Sequence, residues 1–111
     1  MRRVILVSPY AGDVEKNVAY AKRCMLDCLA RGEAPVASHL LWTQPGLLDD
    51  NNPKERILGA KAGNAWLRAA EAVVVYVDRG VSEGMKGDIR AAIAYGVDVE
   101  HRSFEGLVSG L

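Results

Sequence analysis

The chain has few of the residues on which metal, disulfide and nucleic-acid sites depend. It contains two cysteines and two histidines, 6% of its residues are aromatic, and its fourteen basic residues balance fourteen acidic ones. A formal net charge of zero without a basic stripe argues against nucleic acid as a partner. Cys24 and Cys28 are neighbours on one face of a predicted helix, where disulfide geometry is rarely met. No histidine lies near them in sequence, which argues against zinc, so we predict two buried apolar thiols.

Long apolar segments are lacking as well. Every apolar run in the sequence falls far short of the ~20 residues that span a bilayer. Met1, Arg2 and Arg3 resemble the basic start of a signal peptide, but the run Val4–Val7 is too short for its apolar region. We therefore expect a cytoplasmic protein that does not contact a membrane.

The size and composition of the chain are those of one small globular domain. The 111 residues are 50% hydrophobic and 25% charged, which is enough apolar material for a core. Domains commonly contain ~100–150 residues, so we predict a single domain over residues 1–111.

Two apolar runs predict buried strands. Residues 3–8 (RVILVS) and 73–77 (VVVYV) suit strands that are covered on both faces, as in a parallel sheet. Shorter strands are predicted over residues 34–38 and 97–101, and helical spacing of apolar residues predicts helices over 14–29, 54–70 and 85–96. Alternating strands and helices predict an α/β fold whose parallel sheet has four to five strands, in the order 2-1-3-4.

The connection from Ser38 to Asn52 stands out by its length. It has about fourteen residues where ~4–6 are usual, and connections of this length often act as lids or oligomer contacts. Within it, Asp49, Asp50, Asn51 and Asn52 suggest either a metal site or a turn followed by a helix cap, and the second explanation needs no metal.

The helix that follows this connection carries both apolar residues and glycines. We expect Asn52 to cap the helix and Pro53 to occupy its first turn. Gly59 and Gly63 inside it suggest close approach to a neighbouring element. Its apolar face is predicted to be formed by Leu58, Ala62, Ala65 and Ala69, and to be widened by Ile57, Trp66 and Leu67.

The carboxyl ends of the first and third strands are predicted to carry a ligand site. Ligands of open α/β sheets bind at this edge, and the strand order places the Tyr10 loop beside the loop from Asp78 to Gly84. Ser82 is a candidate N-cap, and the free amides that follow it would favour a phosphate or carboxylate. The glycine spacings of dinucleotide-binding and P-loop motifs are absent.

Each candidate residue has a structural alternative. Tyr10 is either a hydroxyl donor to a carboxylate or an aromatic lid, and Asp78 either serves the site or begins a turn. Asp88, one turn inside its helix, either faces the cleft or lies on the solvated surface. His39 is an acid–base group, a pocket wall or a structural hydrogen-bonding residue.

Three segments together resemble the nucleoside 2-deoxyribosyltransferase-like superfamily, in its branch of small bacterial and phage proteins. They are SPYAGD in the first loop, HLLWTQPGLLDDNNPKER in the long connection, and VDRGVSEGMKGDIRAAIAYGV around the third strand. The likeness extends over roughly residues 3–101. It implies a small Rossmann-like (flavodoxin-like) three-layer domain, commonly assembled into homodimers or larger homo-oligomers.

The resemblance also implies roles for residues. Superfamily enzymes cleave N-glycosidic bonds, often with a carboxylate nucleophile four residues after a glycine, which corresponds to Asp88 after Gly84. Tyr10 then corresponds to the aromatic residue that orients the nucleophile, and Asp78 to the acidic residue that meets the base. The implied substrate-binding residues are Ser8, Pro9, Gly12, His39, Ser82, Gly84 and Met85.

One departure from the superfamily concerns the nucleophile. Its usual glutamate is Asp88 here, which is shorter by one methylene, and an error of about 1 Å can cost ~10²-fold in rate. We expect a deoxyribosyltransferase or nucleotide N-glycosidase that needs no cofactor or metal and acts on a nucleoside or nucleotide. The alternative is a nucleotide-binding or sensing module without turnover.

Overall fold

The computed structural model describes residues 1–104, which form four strands and four helices. The strands are β1 (Arg2–Val7), β2 (Glu33–Val36), β3 (Ala72–Tyr76) and β4 (Asp98–Arg102). The helices are α1 (Val14–Ala30), α2 (Ser38–Leu41), α3 (Pro53–Leu67) and α4 (Glu83–Ala94). Every predicted strand and helix is present, and no bound differs from its prediction by more than three residues.

The four strands form one parallel sheet in the order β2-β1-β3-β4. This confirms the predicted order. The central strands β1 and β3 pair from Val4 with Ala72 to Val7 with Val75, so their carboxyl ends lie side by side. The loops that follow them therefore begin next to each other.

Helices cover both faces of the sheet, which gives the three predicted layers. On one face, α1 packs Tyr20, Cys24 and Cys28 against side chains of β1 and β3 that include Leu6 and Val74. On the other face, Leu67, Met85 and Ala92 from α3 and α4 pack against Val7, Val73 and Val75. All five residues of β3 are buried, as its unbroken apolar run predicts.

The two cysteines are free and fully buried. Burial raises the pKa of the Cys24 thiol to about 12, and it also raises the pKa of Cys28. These thiols are therefore apolar core residues, as predicted.

The helix ends follow the predicted caps. The side chain of Asn52 accepts hydrogen bonds from the amides of Lys54 and Glu55 at the start of α3, and Pro53 occupies its first position. The amide of Asn51 donates to the carboxylate of Asp49, so this acidic and amide-rich segment forms a turn and a cap.

The prediction of an unstructured connection from Ser38 to Asn52 is wrong at its start. Residues Ser38–Leu41 form the short helix α2, and Thr43 Oγ1 donates a hydrogen bond of 2.6 Å to the carbonyl of His39. This side chain extends the helical turn beyond its last residue, a contribution that apolar spacing does not reveal.

The predicted apolar face of α3 is wrong except at Leu67. Ile57, Leu58 and Trp66 are 56%, 56% and 59% exposed, while Leu67 is the buried residue of the helix. The glycine side of α3 faces the protein, since an added Cβ at Gly63 would lie 3.3 Å from Ser38 Oγ. Close approach through the glycines is confirmed, and it turns the large apolar residues outward.

An ion pair joins the two edges of the sheet on the α1 side. Arg102, at the end of β4, donates two hydrogen bonds of 2.8 and 2.7 Å to the Glu33 carboxylate, and both side chains are 7% exposed. The Arg102 guanidinium also donates to the Tyr76 hydroxyl, which donates to Asp27. Arg102 and Phe104 belong to the tail that the sequence leaves unassigned, and residues 105–111 lie outside the described part.

Candidate functional site

A cavity of about 350 Å³ opens at the carboxyl ends of β1 and β3. The loop after β1 forms one wall, α2 and the turn after it form a second, and the amino-terminal halves of α3 and α4 form the rest. Seven of the predicted site residues line it: Ser8, Tyr10, His39, Ser82, Gly84, Met85 and Asp88.

Asp88 contributes a carboxylate to this cavity from the first half of α4. No hydrogen bond or ion pair to it is formed within residues 1–104, and burial raises its pKa to about 6. No fully buried side-chain oxygen in the described residues lacks a partner, so neither carboxylate oxygen of Asp88 is completely buried. A desolvated carboxylate without a partner, facing a cavity, is available to react with a ligand.

Ser8 and His39 form a hydrogen-bonded pair in the wall. Ser8 Oγ lies 2.8 Å from His39 Nε2, and Ser8 is 5% exposed. The ring of Tyr10 meets the His39 ring edge-on, with 6.5 Å between centroids. Burial lowers the pKa of His39 to about 4, so the imidazole is neutral at pH 7.

The amino-terminal end of α4 supplies donors for an anionic group. Ser82 caps this helix by accepting a hydrogen bond from the amide of Met85, as predicted. The guanidinium of Arg56 on α3 reaches the same end, since an added Cβ at Gly84 would lie 3.8 Å from Arg56 Nη2. A helix amino terminus and an arginine are both donors that a phosphate can use, although Glu83 in the first turn of the same helix also lines the cavity.

Three predicted site residues do not line the cavity. Asp78 lies behind it, where its carboxylate accepts hydrogen bonds of 2.6 Å from Tyr20 and Ser103. Pro9 is buried at the end of β1, and Gly12 lines a neighbouring cavity of about 440 Å³ that shares Tyr10. The predicted role of Asp78, assisting the departure of the base, therefore stays a prediction.

Several lining residues carry no predicted role. They include Arg56, Thr43, Glu55 and the half-buried Trp42. The length of the 38–52 connection was the one signal that pointed to part of this wall.

The described residues contain no group of three or more His, Cys, Asp or Glu side chains arranged to hold a metal ion. Within residues 1–104, no helix has the length and apolar character needed to cross a membrane.

One family model matches almost the whole described part of the chain. The family model of DUF7768, described as a domain of unknown function, matches residues 2–102. The chain belongs to the DUF7768 family. No curated protein matches this DUF7768 member.

Solved structures show what the fold of this DUF7768 member is similar to. It is similar to a 2-deoxyribosyltransferase from Bacillus psychrosaccharolyticus, with a TM-score of 0.63 and 17% identity over 91% of this chain and 72% of the other. It is also similar to a 2-deoxyribosyltransferase from Leishmania mexicana, with a TM-score of 0.65 and 12% identity over 93% and 65%. The chain thus spans slightly less than two thirds of the Leishmania protein.

A third neighbour catalyses a different reaction on the same fold. The CMP N-glycosidase BcmB from Clostridium botulinum has a TM-score of 0.54 and 15% identity, over 92% of this chain and 69% of its own. The TM-scores of 0.54 to 0.65 show a shared Rossmann-like fold, and at identities of 12 to 17% the residues of the cavity must carry any argument about chemistry.

Proposed function

We propose that this protein cleaves the N-glycosidic bond of a deoxynucleoside or nucleotide, with Asp88 as the nucleophile. The observation that carries the proposal is the unpartnered Asp88 carboxylate in the cavity at the carboxyl edge of the sheet. Two of the structural neighbours are named as deoxyribosyltransferases and one as a CMP N-glycosidase, which supports this class of reaction.

The chemistry follows that of a retaining glycosidase. An Asp88 oxygen attacks C1′ of the sugar, forming an ester bond as the bond from C1′ to the base nitrogen breaks and its electron pair leaves with the base. Water then opens the ester in a hydrolase, or a second base does so in a transferase. The attacking carboxylate must be ionised, so activity should rise as pH increases through about 6.

The remaining groups suit a nucleotide. Tyr10 and Trp42 offer aromatic surface for a base, and the α4 amino terminus with Arg56 offers donors for a 5′ phosphate. Arg56→Ala should therefore weaken the binding of a nucleoside monophosphate more than that of the corresponding nucleoside. Lys61→Ala, on the same helix but outside the cavity lining, should change the binding of neither.

Base release tests the proposal directly. Purified protein is incubated with a panel of 2′-deoxynucleosides and their 5′-monophosphates, with and without an acceptor base, and free base is measured by chromatography. Asp88→Ala should lower the rate of base release by at least ~10²-fold, as expected when a nucleophile is lost. Absence of base release by concentrated wild-type protein across the panel would refute catalysis.

A second candidate, a nucleotide-binding module without turnover, is favoured by one observation. Within residues 1–104 no side chain orients Asp88, because the Tyr10 ring packs against His39 instead of donating to this carboxylate. This candidate predicts that nucleotides raise the melting temperature without being cleaved, since a ligand that binds only the folded state stabilises it.

The expected homo-oligomer stays a prediction. The outward face of α3 exposes Ile57, Leu58 and Trp66 as a patch that a second copy of this chain would bury. Light scattering of the wild type and of Trp66→Glu, with Lys22→Glu on the exposed surface of α1 as control, tests whether this patch mediates self-association.

A further inference from the structure

The Ser8–His39 pair has a property that the proposed reaction does not use. The hydrogen bond of 2.8 Å between Ser8 Oγ and His39 Nε2 is the one hydrogen bond that either side chain makes within residues 1–104. Ser8 is almost completely buried, so its hydroxyl has no alternative partner in bulk water. The pair is therefore a closed unit on its protein side.

The other ring nitrogen of His39 is not held by the protein. Nδ1 has no hydrogen-bond partner among the described residues, yet no fully buried side-chain nitrogen or oxygen there lacks one. Nδ1 is consequently not completely buried, and His39 lines the cavity that also contains Asp88. One nitrogen of the ring is thus held by Ser8 and the second is available to a ligand.

The position of the ring is fixed by its surroundings. Thr43 Oγ1 holds the main-chain carbonyl of His39 at 2.6 Å, and the Tyr10 ring packs edge-on against the imidazole at an interplanar angle of 73°. The location of Nδ1 is therefore set before a ligand arrives, while the proton on the ring can change place.

A neutral imidazole carries one donor and one acceptor nitrogen, and a serine hydroxyl is both donor and acceptor. When Ser8 donates to Nε2, Nδ1 carries the proton and donates to the ligand. When Ser8 accepts from Nε2–H, Nδ1 is an acceptor. Both states keep the hydrogen bond between Ser8 and His39. In the accepting state the Ser8 hydroxyl proton has no acceptor among residues 1–104, and its partner must be water or ligand in the cavity that Ser8 lines.

We propose that Nδ1 of His39 contacts the exocyclic group of a bound nucleobase. Because Ser8 can hold either tautomer of the ring, Nδ1 can bind an amino or an oxo substituent there. The inference rests on the proposed function only in requiring that a nucleobase enters the cavity. It assigns to the pair a role in base selection that is separate from the chemistry of Asp88.

Nitrogen-15 NMR of the histidine rings tests this role, because the two nitrogens of each tautomer have distinct shifts. The chain has two histidines, and His101→Gln identifies the signals of His39. The probes are 2′-deoxycytidine, which carries a 4-amino group, and 2′-deoxyuridine, which carries a 4-oxo group. They are added to the Asp88→Asn protein so that neither nucleoside is consumed.

With 2′-deoxycytidine the proton of His39 should lie on Nε2, and with 2′-deoxyuridine it should lie on Nδ1. The two dissociation constants should agree within about tenfold, because Ser8 supports both states. Ser8→Ala should weaken the binding of both nucleosides by about tenfold. Ser8→Thr keeps the hydroxyl and should keep the change of tautomer between the two nucleosides. Melting temperatures of the free variants show whether they fold.

The contrary results are distinct. If both nucleosides bind and His39 keeps the same tautomer, or if one binds more than 100-fold more tightly, the inference fails and the proposed function stands. If neither nucleoside binds, the inference fails, and base release across the full nucleoside and nucleotide panel decides the proposed function separately.

Discussion

Replacing Asp88 by asparagine should make the protein more stable at pH 8. Burial raises the pKa of this carboxyl from 3.8 to about 6, so the folded state opposes its ionisation. A difference of about two pKa units corresponds to ~3 kcal/mol, and we expect ~1–3 kcal/mol because its oxygens are not completely buried. For a domain of this size the melting temperature should rise by ~4–12 °C.

The gain should depend on pH in a defined direction. The folded-state pKa of Asp88 lies above the unfolded one, so the folded wild type binds more protons between pH 3.8 and about 6 and loses stability as pH rises through that window. The difference between Asp88→Asn and wild type should thus be complete at pH 8 and fall to about 0.5 kcal/mol at pH 4.

His39 titrates over the same range with the opposite sign. Its folded-state pKa of about 4 lies below the usual 6.5, so its contribution to stability is present above pH 6.5 and is lost as pH falls toward 4. Both proteins carry His39, so this contribution cancels in the difference between variant and wild type.

Urea unfolding at pH 4 and pH 8 measures the effect. Asp98→Asn, at the exposed start of β4, is the matched control and should change the free energy of unfolding by less than about 0.5 kcal/mol at either pH. No stabilisation by Asp88→Asn at pH 8, or an equal gain at both pH values, would refute the reasoning that Asp88 is a desolvated charge.

Three further predictions concern the scaffold. Glu33→Gln should lower the free energy of unfolding by ~1.5–3 kcal/mol, because it removes the carboxylate that accepts two hydrogen bonds from the buried Arg102 and leaves Glu100, 3.8 Å away, as counter-charge. Urea titration against Glu15→Gln, on the exposed surface of α1, measures this. Tyr20→Phe should cost ~1–3 kcal/mol by removing the hydroxyl that bonds both the carboxylate and the amide of Asp78, and unchanged stability would contradict that contact. Cys24 and Cys28 should react with a thiol reagent at pH 8 only on unfolding, and rapid labelling of the native protein would show that they are not core thiols.

The sequence predicts the strands and their order because burial on both faces leaves a direct mark. The run from Val73 to Tyr76 has no polar residue, and such a strand fits only the interior of a parallel sheet. Caps are equally local, since Ser82 and Asn52 bond amides two or three residues ahead. These features need no knowledge of distant parts of the chain.

What the sequence could not give depends on contacts between distant segments. The carboxylate of Asp78 is held by Tyr20, which is 58 residues away, and Ser8 meets His39 across 31 residues. In α3, apolar spacing favours the face with Leu58, but Gly63 allows a closer approach to α2 and turns that face outward. Packing decided these orientations, and residue type alone does not encode it.

The most direct test of the account compares base release by wild type, Asp88→Asn and Asp98→Asn at pH 7.5 on the best-bound nucleoside or nucleotide. The account predicts release by wild type and by Asp98→Asn at equal rates, and a loss of at least ~10²-fold in Asp88→Asn, which still binds the ligand. Release by Asp88→Asn at the wild-type rate would contradict the assignment of Asp88 as the nucleophile.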